Sequence, residues 1–420
     1  MIFKKTIFTG FAPNLRFADV LISLKFLCLP WNWPKIISGN YPQKVEEKLR
    51  NYFQSKYCFS FDSGRSALHL ALRALDVQAG DEVLVQGYTC VVVSNAINWT
   101  GARPIYVDVQ NDFNMNAEDL EKKITARSKV LIIQHTFGAS ANIDKLLTIA
   151  KKYNLKIIED CAHSLGTRYQ GKLTGTWGDI GMFSFGSDKI ISCVRGGALI
   201  TDKQEIGLKL KTIQNNLPQS PLGRVLQHLF HYPAFWKGKI FYSIFLGKLI
   251  LYVFKKLNII NKIIYKPEKR GEPDIFYPAQ LPNSLANILF EQLKDLEINL
   301  AHRKKIAQIY NQKINNQYIE LPWIDHKIDL QNSVCLRYPL LTNHFRELKI
   351  YLKKKNIILG DWYRPNIAPA DIDFSQTKYQ KGTCPVAENL SARSANLPVN
   401  INISLKDAHR IIKAINFFKP

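Results

Sequence analysis

Short apolar runs alternate with amphipathic segments through residues 55–205, and this alternation restricts the fold more than any other feature of the chain. The runs are rich in β-branched or aromatic residues and are bounded by Gly, Asp, Asn or Pro: DEVLVQG, RPIYVDV, KVLIIQHT, LKIIEDCA, IGMFSF and GALITD. Segments such as IDKLLTIAKKYN, with apolar residues at helical spacing, separate the first four runs. This order predicts an α/β domain in which a mostly parallel sheet lies between helices.

The rest of the chain divides around this domain. We predict an N-terminal extension (1–45), the large α/β domain (46–214), a helical insertion (215–275), and a helical connection leading to a smaller α+β domain (276–420). A length of 420 residues exceeds what one ordinary core accommodates, which agrees with two domains.

The insertion concentrates positive charge. The whole chain has 57 Lys+Arg against 34 Asp+Glu, a net charge of +23 that favours anionic partners. Residues 221–272 hold ten Lys/Arg, two acidic residues and the run IFYSIFLGKLILYVF (240–254). That run is shorter than the roughly 20 apolar residues of a membrane span, but it suits a helix lying on a membrane surface. A helical hairpin packed on the protein, or across a subunit interface, is the alternative.

Other partners and compartments are less favoured by the sequence. The seven cysteines are scattered and form no Cys-x-x-Cys pair, so we expect neither a disulfide framework nor a metal site. Asn14, Arg16 and Asp19 interrupt the apolar N-terminus, which argues against a signal peptide and favours the cytoplasm, either free or peripheral to the inner membrane surface. No nucleic-acid-binding motif accompanies the basic residues, so we expect no nucleic-acid partner.

Polar residues follow several of the predicted strands, where open α/β sheets bind their ligands. Asp160 ends the run LKIIED, while Ser184 and Lys189 follow the next run. The loop SGRSA (63–67) leads into a helix whose first backbone N–H groups favour a phosphate. Each residue also has a plain structural interpretation: a helix cap, a half-buried serine, or a turn lysine whose stem packs while its ammonium reaches water.

Together these groups match the needs of pyridoxal phosphate. Its aldehyde forms a Schiff base with an amine, and its ring nitrogen stays protonated when a carboxylate lies beside it. A lysine, a carboxylate 29 residues before it, a hydroxyl and a phosphate loop supply these parts in one domain.

The order of motifs adds a resemblance to a known family. SGRSALHLAL, GDEVLVQGYT, GARPIYVDV, KVLIIQHTFG, IIEDCAHSLG, GDIGMFSFGSDK and GGALITD resemble the DegT/DnrJ/EryC1/StrS family over residues 45–205. The resemblance resumes at LANILFEQLKDL and ends with CPVAENLSARSANLPV. Members are fold-type I, pyridoxal-phosphate-dependent aminotransferases that act mainly on nucleotide-linked keto-sugars, with a mostly parallel seven-stranded type of sheet.

The resemblance implies a role for each matching residue. Lys189 would form the Schiff base and move the proton, Asp160 would pair with the ring nitrogen, and His163 would lie near the phenolic oxygen of the cofactor. The phosphate would be held by Ser184 and by the backbone at Gly64 and Arg65.

The chain also departs from the family pattern. Arg65 replaces a frequent threonine and would either contact the phosphate directly or point to solvent. Cys90 replaces an aromatic residue that commonly stacks on the cofactor, which leaves Tyr88 as the nearby substitute. Arg195 replaces an acidic residue, and Pro278 stands where the family has an asparagine for the neighbouring subunit's phosphate site.

The predicted function is the transfer of an amino group from an amino acid, glutamate by resemblance, to a keto-sugar linked to a nucleotide or another carrier. Such chemistry belongs to amino-sugar or surface-polysaccharide biosynthesis, and the resemblance implies a homodimer. The alternative is a non-catalytic protein of the same fold that binds or regulates, with a membrane contact through residues 221–272.

Overall fold

The computed structural model describes residues 5–420. Its strands are β1 (Ile7–Phe8), β2 (Tyr57–Phe61), β3 (Glu82–Gln86), β4 (Thr89–Cys90), β5 (Arg103–Val107), β6 (Ser128–Gln134), β7 (Lys156–Asp160), β8 (Arg168–Tyr169), β9 (Lys172–Leu173), β10 (Ile180–Ser184), β11 (Gly197–Thr201), β12 (Tyr338–Leu341), β13 (Ile357–Ile358), β14 (Ile367–Ala368) and β15 (Ser394–Leu397).

The α-helices are α1 (Phe17–Cys28), α2 (Tyr41–Phe53), α3 (Gly64–Ala74), α4 (Val91–Asn98), α5 (Ala117–Lys123), α6 (Ile143–Lys152), α7 (Gln204–Asn215), α8 (Leu222–Ile240), α9 (Leu246–Lys256), α10 (Lys266–Lys269), α11 (Asn283–Lys294), α12 (Leu296–Lys313), α13 (Pro322–Asp325), α14 (Phe345–Lys354), α15 (Pro385–Arg393) and α16 (Leu405–Asn416). Short 3-10 helices lie at Pro30–Lys35, Thr136–Gly138, Tyr242–Ile244 and Phe374–Thr377.

A seven-stranded sheet forms the centre of the large domain, in the order β2-β11-β10-β7-β6-β3-β5. Neighbouring strands are parallel except where β11 meets β10 and β2, which are both antiparallel pairings. The interior strands are buried on both faces because helices cover both sides of the sheet, which explains their continuous apolar runs. The predicted mostly parallel α/β sheet is confirmed.

Helix α3 begins directly after β2, at the end of the sheet where β10 also finishes. The side chain of Ser63 caps this helix by accepting a hydrogen bond from the backbone N–H of Ser66 at 3.2 Å. A Cβ added to Gly64 would lie 2.6 Å from both Cβ and Oγ of Ser184. Glycine therefore lets the helix N-terminus approach the end of β10 closely.

The N-terminal extension is joined to two other regions. Its strand β1 pairs in parallel with β13 of the C-terminal domain, and its helix α1 packs against α8 of the insertion. The next helix, α2, begins at Tyr41, so the predicted boundary at residue 45 falls inside a helix. The predicted boundary at 214 likewise falls inside the last turn of α7, whereas the boundary at 275 lies outside regular helices and strands.

The insertion folds as a helical hairpin. Its helices α8 and α9 pack against each other and are connected by the short 3-10 helix Tyr242–Ile244. Gly238 and Gly247 lie where the two helices meet, and a Cβ on Gly247 would collide with the backbone carbonyl of Gly238. Among residues 5–420, no helix combines the length and apolar character needed to cross a membrane.

Candidate active site

A cavity of about 1140 Å³ lies at the carboxyl ends of the sheet strands, between the sheet, the insertion hairpin and the C-terminal domain. Most of the residues singled out from the sequence line this cavity, namely Gly64, Arg65, Asp160, His163, Ser184 and Lys189. Strands β7 and β10 end here and α3 begins here, so the topology of the sheet brings these distant residues together.

Lys189 extends into the cavity from the loop after β10. Its backbone N–H donates to the carbonyl of Gly186 at 3.1 Å, and its Nζ lies 5.3 Å from the ring centroid of Trp362. Burial lowers the pKa of the Lys189 ammonium, and the negative charge of Asp160 acts in the opposite direction. The lysine is therefore neither a solvated turn residue nor half of a closed ion pair, and its amine is more easily deprotonated than usual.

Asp160 closes β7 and is buried. Its carboxylate accepts a hydrogen bond from the backbone N–H of Ala162 at 3.0 Å. Burial raises the pKa of this carboxyl, whereas the backbone hydrogen bond and the positive charge of Lys189 lower it. A cationic group placed in the cavity beside Asp160 would compensate the desolvation of the carboxylate.

The N-terminus of α3 provides an anion site on the cavity wall. The first backbone N–H groups of an α-helix, here those of Gly64 and Arg65, have no partner within the helix. The hydroxyl of Ser184 lies so close to Gly64 that a Cβ on this glycine would be only 2.6 Å from it. These donors suit a phosphate group.

Arg65 takes neither of its two predicted positions. Its guanidinium forms a buried ion pair with Glu268 of the insertion, and its Nη2 donates to the backbone carbonyl of Ile263 at 2.8 Å. Burial lowers the pKa of Arg65 to about 10. The side chain therefore does not point to solvent and is engaged by protein groups, while its backbone N–H remains at the helix N-terminus.

Arg195 binds the same segment of the insertion as Arg65, the one that follows α9. Its Nε donates to Oδ1 of Asn261 at 3.1 Å, and its Nη2 donates to the backbone carbonyl of Lys262 at 2.6 Å. The residue that departs from the family pattern thus has a structural use in this chain. Together with Arg65, it fastens the segment that follows α9 beside the anion site.

His163 also lines the cavity. Its Nδ1 accepts from the backbone N–H of Phe137 at 3.3 Å, and its Nε2 is 3.0 Å from the hydroxyl of Tyr363. Burial and the positive charge of Lys189 keep the pKa of this imidazole well below its usual value. Both nitrogens are engaged, so the predicted contact with a phenolic oxygen is not provided by this arrangement.

Tyr88 lies behind the cavity wall, and the expectation that it substitutes for the stacking aromatic is not supported. Its hydroxyl accepts from the backbone N–H of Tyr363 at 3.0 Å and bonds to the hydroxyl of Ser394 at 3.0 Å. Tyr88 is inaccessible to solvent, and these hydrogen bonds satisfy its buried hydroxyl group. Tyr88 instead holds the loop that carries Trp362.

Trp362 is the aromatic residue that the sequence analysis missed. Its ring is stacked on His163 at 5.5 Å between centroids, and the guanidinium of Arg337 lies 3.5 Å from its ring centroid. Cys90 lines the same cavity from the large domain. No local signal in the motif GDWYRP marks this residue, because only the packing of the C-terminal domain brings it to Lys189.

Pro278 and its neighbours lie beside the loop that precedes α3. Ala279 exchanges two hydrogen bonds of 3.1 Å with Asp62. Its carbonyl accepts from the backbone N–H of Asp62, and its own N–H donates to the Asp62 carboxylate. Within one chain, the segment that departs from the family pattern therefore supports the anion site through the backbone.

A second polar cluster lies beneath the cavity. His135, Glu159 and Cys161 place their potential ligand atoms within 4.8 Å of one another. Glu159, however, accepts from the backbone N–H groups of Gly175 and Gly178, each at 2.8 Å, and lies 3.2 Å from Nε2 of His135. These bonds give the cluster a structural use, which is to hold the loop that leads into β10.

The residues around the cavity fit pyridoxal phosphate. An amine with a lowered pKa, a buried carboxylate that forms no ion pair within residues 5–420, and a helix N-terminus fronted by Ser184 border one space large enough for the cofactor and a substrate. Fold and site together define a pyridoxal-phosphate-dependent transaminase of fold type I.

Comparisons with known proteins lead from this class to a family. The sequence profile of the DegT/DnrJ/EryC1/StrS aminotransferase family matches residues 31–221 and 265–416. The chain therefore belongs to this family. The unmatched residues between the two segments, 222–264, include the whole of the α8–α9 hairpin.

Individual relatives agree with this assignment. An uncharacterized protein of Methanocaldococcus jannaschii is 32% identical over 391 residues, covering 90% of each chain. The GDP-perosamine synthase of Escherichia coli O157:H7 is 30% identical over 396 residues, covering 93% of each chain. The crystal structure of NtdA from Bacillus subtilis with bound cofactor PMP shares the fold, with a TM-score of 0.71, 23% identity, and coverage of 98% of this chain and 84% of that chain.

Proposed function

We propose that this transaminase moves an amino group from glutamate to a keto-sugar that is linked through phosphate to a nucleotide or another carrier. The main support for this proposal is that Lys189 and Asp160 line the same cavity beside the N-terminus of α3. A non-catalytic binding protein would have no use for a desolvated lysine and a desolvated carboxylate held around the same space.

The chemistry divides between cofactor and protein. Pyridoxal phosphate, when bound, supplies the electron sink that makes the carbon–hydrogen bond beside the amine acidic. Lys189 would hold the cofactor through its Nζ, and the lowered pKa of this amine suits it to take and return a proton. Asp160 would pair with the protonated ring nitrogen, and Ser184 with the backbone at Gly64 and Arg65 would hold the phosphate.

The basic rim of the cavity supports a phosphate-linked substrate. Lys248, Lys255, Lys262 and Lys269 of the insertion line the cavity together with Arg364. Their charges suit two adjacent phosphates between sugar and carrier. The relatives include GDP-perosamine synthase and a dTDP-3-amino-3,6-dideoxy-alpha-D-galactopyranose transaminase, whose names refer to nucleotide-linked sugars.

Three further properties belong to this proposal. Glutamate is the proposed donor, two copies of the chain form the proposed homodimer, and the cytoplasm is the proposed compartment. Residues 221–272 of the insertion are the proposed peripheral contact with the inner membrane surface.

The absorption spectrum of the purified protein with pyridoxal phosphate tests the proposed function. We expect a visible band that Lys189→Ala abolishes and that glutamate converts to the spectrum of the amino form of the cofactor. Asp160→Asn should keep the band but slow this conversion by roughly a hundredfold or more. A protein that takes up no chromophore would overturn the proposal in favour of a binding or regulatory role, and a band insensitive to glutamate would overturn the donor.

A further inference from the structure

The cavity continues from Lys189 into a compartment built by the insertion hairpin. The wall of this compartment comes from α8, the turn after it, α9 and the segment that follows, and it combines apolar with polar side chains. Its aliphatic and aromatic residues are Phe235, Tyr242, Phe245, Leu249, Leu251, Tyr252, Ile260 and Ile263, and its polar residues are His231, Lys248, Lys255, Asn261 and Lys262. The aliphatic and aromatic side chains of this wall suit an apolar chain, and its lysines suit phosphates attached to such a chain.

The rim of this compartment is both cavity wall and outer surface. Phe245 is 68% exposed, Tyr252 is 64% exposed, Ile263 is 54% exposed and Leu249 is 50% exposed, although all four line the cavity. Large apolar side chains are rarely left in water at this density without a partner. The cavity therefore opens in the middle of an apolar surface.

This apolar surface extends well beyond the rim. We call it the hairpin surface and define it by the exposed residues Ile240, Phe241, Ile244, Phe245, Leu246, Leu249, Tyr252, Val253 and Leu257. It continues onto the N-terminal extension, because Trp236, one helical turn before Ile240, packs against the exposed ring of Phe17 at 5.2 Å. Sequence alone would not have joined α1 to this surface.

Positive charges border the hairpin surface. Lys237, Lys248, Lys255 and Lys256 are exposed, and the sequence contains no acidic residue between Glu205 and Glu268. An apolar helix face fringed by lysines is typical of a helix lying at an anionic lipid surface.

Inside the compartment, one polar side chain has no protein partner. His231 is 4% exposed and is stacked on Phe235 at 4.0 Å between centroids. Neither of its ring nitrogens has a hydrogen-bond partner among residues 5–420. Burying an imidazole without hydrogen-bond partners costs free energy of folding, unless an oxygen of a bound ligand forms the missing hydrogen bond.

From these observations we propose that the substrate is a keto-sugar carried by an isoprenoid diphosphate, which the enzyme takes from an anionic membrane through the hairpin surface. The isoprenoid chain lies along Phe245, Leu249 and Tyr252, and the diphosphate is bound by Lys248 and Lys255. The sugar then reaches Lys189. This inference rests on the proposed transaminase function and specifies the carrier of its substrate.

Calorimetric titration of the cofactor-loaded protein separates the two kinds of carrier. Farnesyl diphosphate serves as the isoprenoid probe, while UDP, GDP, dTDP and inorganic pyrophosphate are the competitors. We expect farnesyl diphosphate to bind at least roughly tenfold more tightly than any competitor, and K248A/K255A to weaken it by a similar factor. The double variant K353A/K354A removes the same charge from exposed positions on α14 and should change nothing.

Flotation with lipid vesicles tests whether the hairpin surface binds a membrane. The parent protein should float with phosphatidylcholine vesicles that contain phosphatidylglycerol, and the double variant F245S/L249S should not. The matched control I298S/I350S exchanges two exposed apolar residues elsewhere and should still float. If F245S/L249S instead converts a dimer to a monomer and neither protein floats, a second copy covers the hairpin surface and the proposal is wrong.

The remaining outcomes distinguish this inference from the proposed function. Tighter binding of a nucleoside diphosphate, or no binding of farnesyl diphosphate, overturns the isoprenoid carrier while the conversion by glutamate still stands. That conversion is measured on the parent protein, which carries no substitution in the hairpin. Its absence in the parent protein would overturn the proposed function itself.

Discussion

The side-chain amide of Asn14 donates a hydrogen bond to the backbone carbonyl of Lys189, 175 residues further along the chain. Oδ1 of Asn14 accepts in turn from Nη2 of the buried Arg303 at 2.5 Å, and Asn299 donates to the carbonyl of Ile190 at 3.0 Å. The N-terminal extension therefore helps to hold the loop that carries the proposed reactive amine.

Asn14 is accordingly predicted to be a positioning residue. Asn14→Ala should lower kcat about tenfold with KM nearly unchanged, because a small displacement of Lys189 is costly in the reaction step. Asn14→Asp keeps the acceptor for Arg303 but loses the donor to Lys189, so it should show the same defect and shift the pH at which the cofactor band changes. Asn51→Ala, at an exposed position on α2, is the control. Lost stability with normal kcat and an unshifted band would show a merely structural role.

Gly64→Ala should weaken binding of the cofactor. The added methyl group would lie 2.6 Å from the side chain of Ser184, so either the helix N-terminus or the serine must move out of the anion site. We expect at least a roughly tenfold higher Kd for pyridoxal phosphate in a spectroscopic titration. Gly223→Ala adds the same methyl group near the start of α8, where nothing lies within 4 Å, and should bind normally. Unchanged affinity in Gly64→Ala would place the phosphate elsewhere.

Glu268→Ala should destabilise the protein by about 3 kcal/mol, because it leaves the buried Arg65 without its counter-charge. Glu272→Ala removes the partner of Arg270 in an exposed ion pair and should cost much less, because solvent screens that pair. Urea unfolding of both variants measures the difference. Equal effects would mean that the Arg65–Glu268 pair does not fasten the insertion.

Asp62 should make the stability of the cofactor-free protein depend on pH. Burial raises the pKa of its carboxyl from 3.8 to about 6. The folded state therefore retains the proton that the unfolded chain has lost, and stability falls as the pH rises from about 4 to about 6. Asp62→Asn keeps an acceptor for the N–H of Ala279 and should add about 1–3 kcal/mol above pH 6, but little near pH 4.

Urea unfolding of the parent and Asp62→Asn proteins at several pH values checks this prediction. A variant that is less stable than the parent at neutral pH would show that the ionised carboxylate is favoured by the neighbouring arginines. The raised pKa would then be wrong.

Much of the large domain was predictable because its signals are local. Each quoted apolar run became a strand of the central sheet, and Asp160, Ser184 and Gly64 met because parallel strands end at the same edge. Tyr88 and His163 were less predictable. Their positions in the motifs place Tyr88 and His163 near the site. Hydrogen bonds with Tyr363, however, orient both side chains toward the protein.

The sequence by itself determined the fold class, the family and the cofactor, because apolar periodicity and short motifs act over a few residues. Tertiary structure alone decided the partner of Arg65, which lies 203 residues away, the arrival of Trp362 beside Lys189, and the union of α1 with the insertion hairpin. These contacts join residues far apart in the chain. Their energies depend on burial and on which charges meet, and neither is encoded in any one segment.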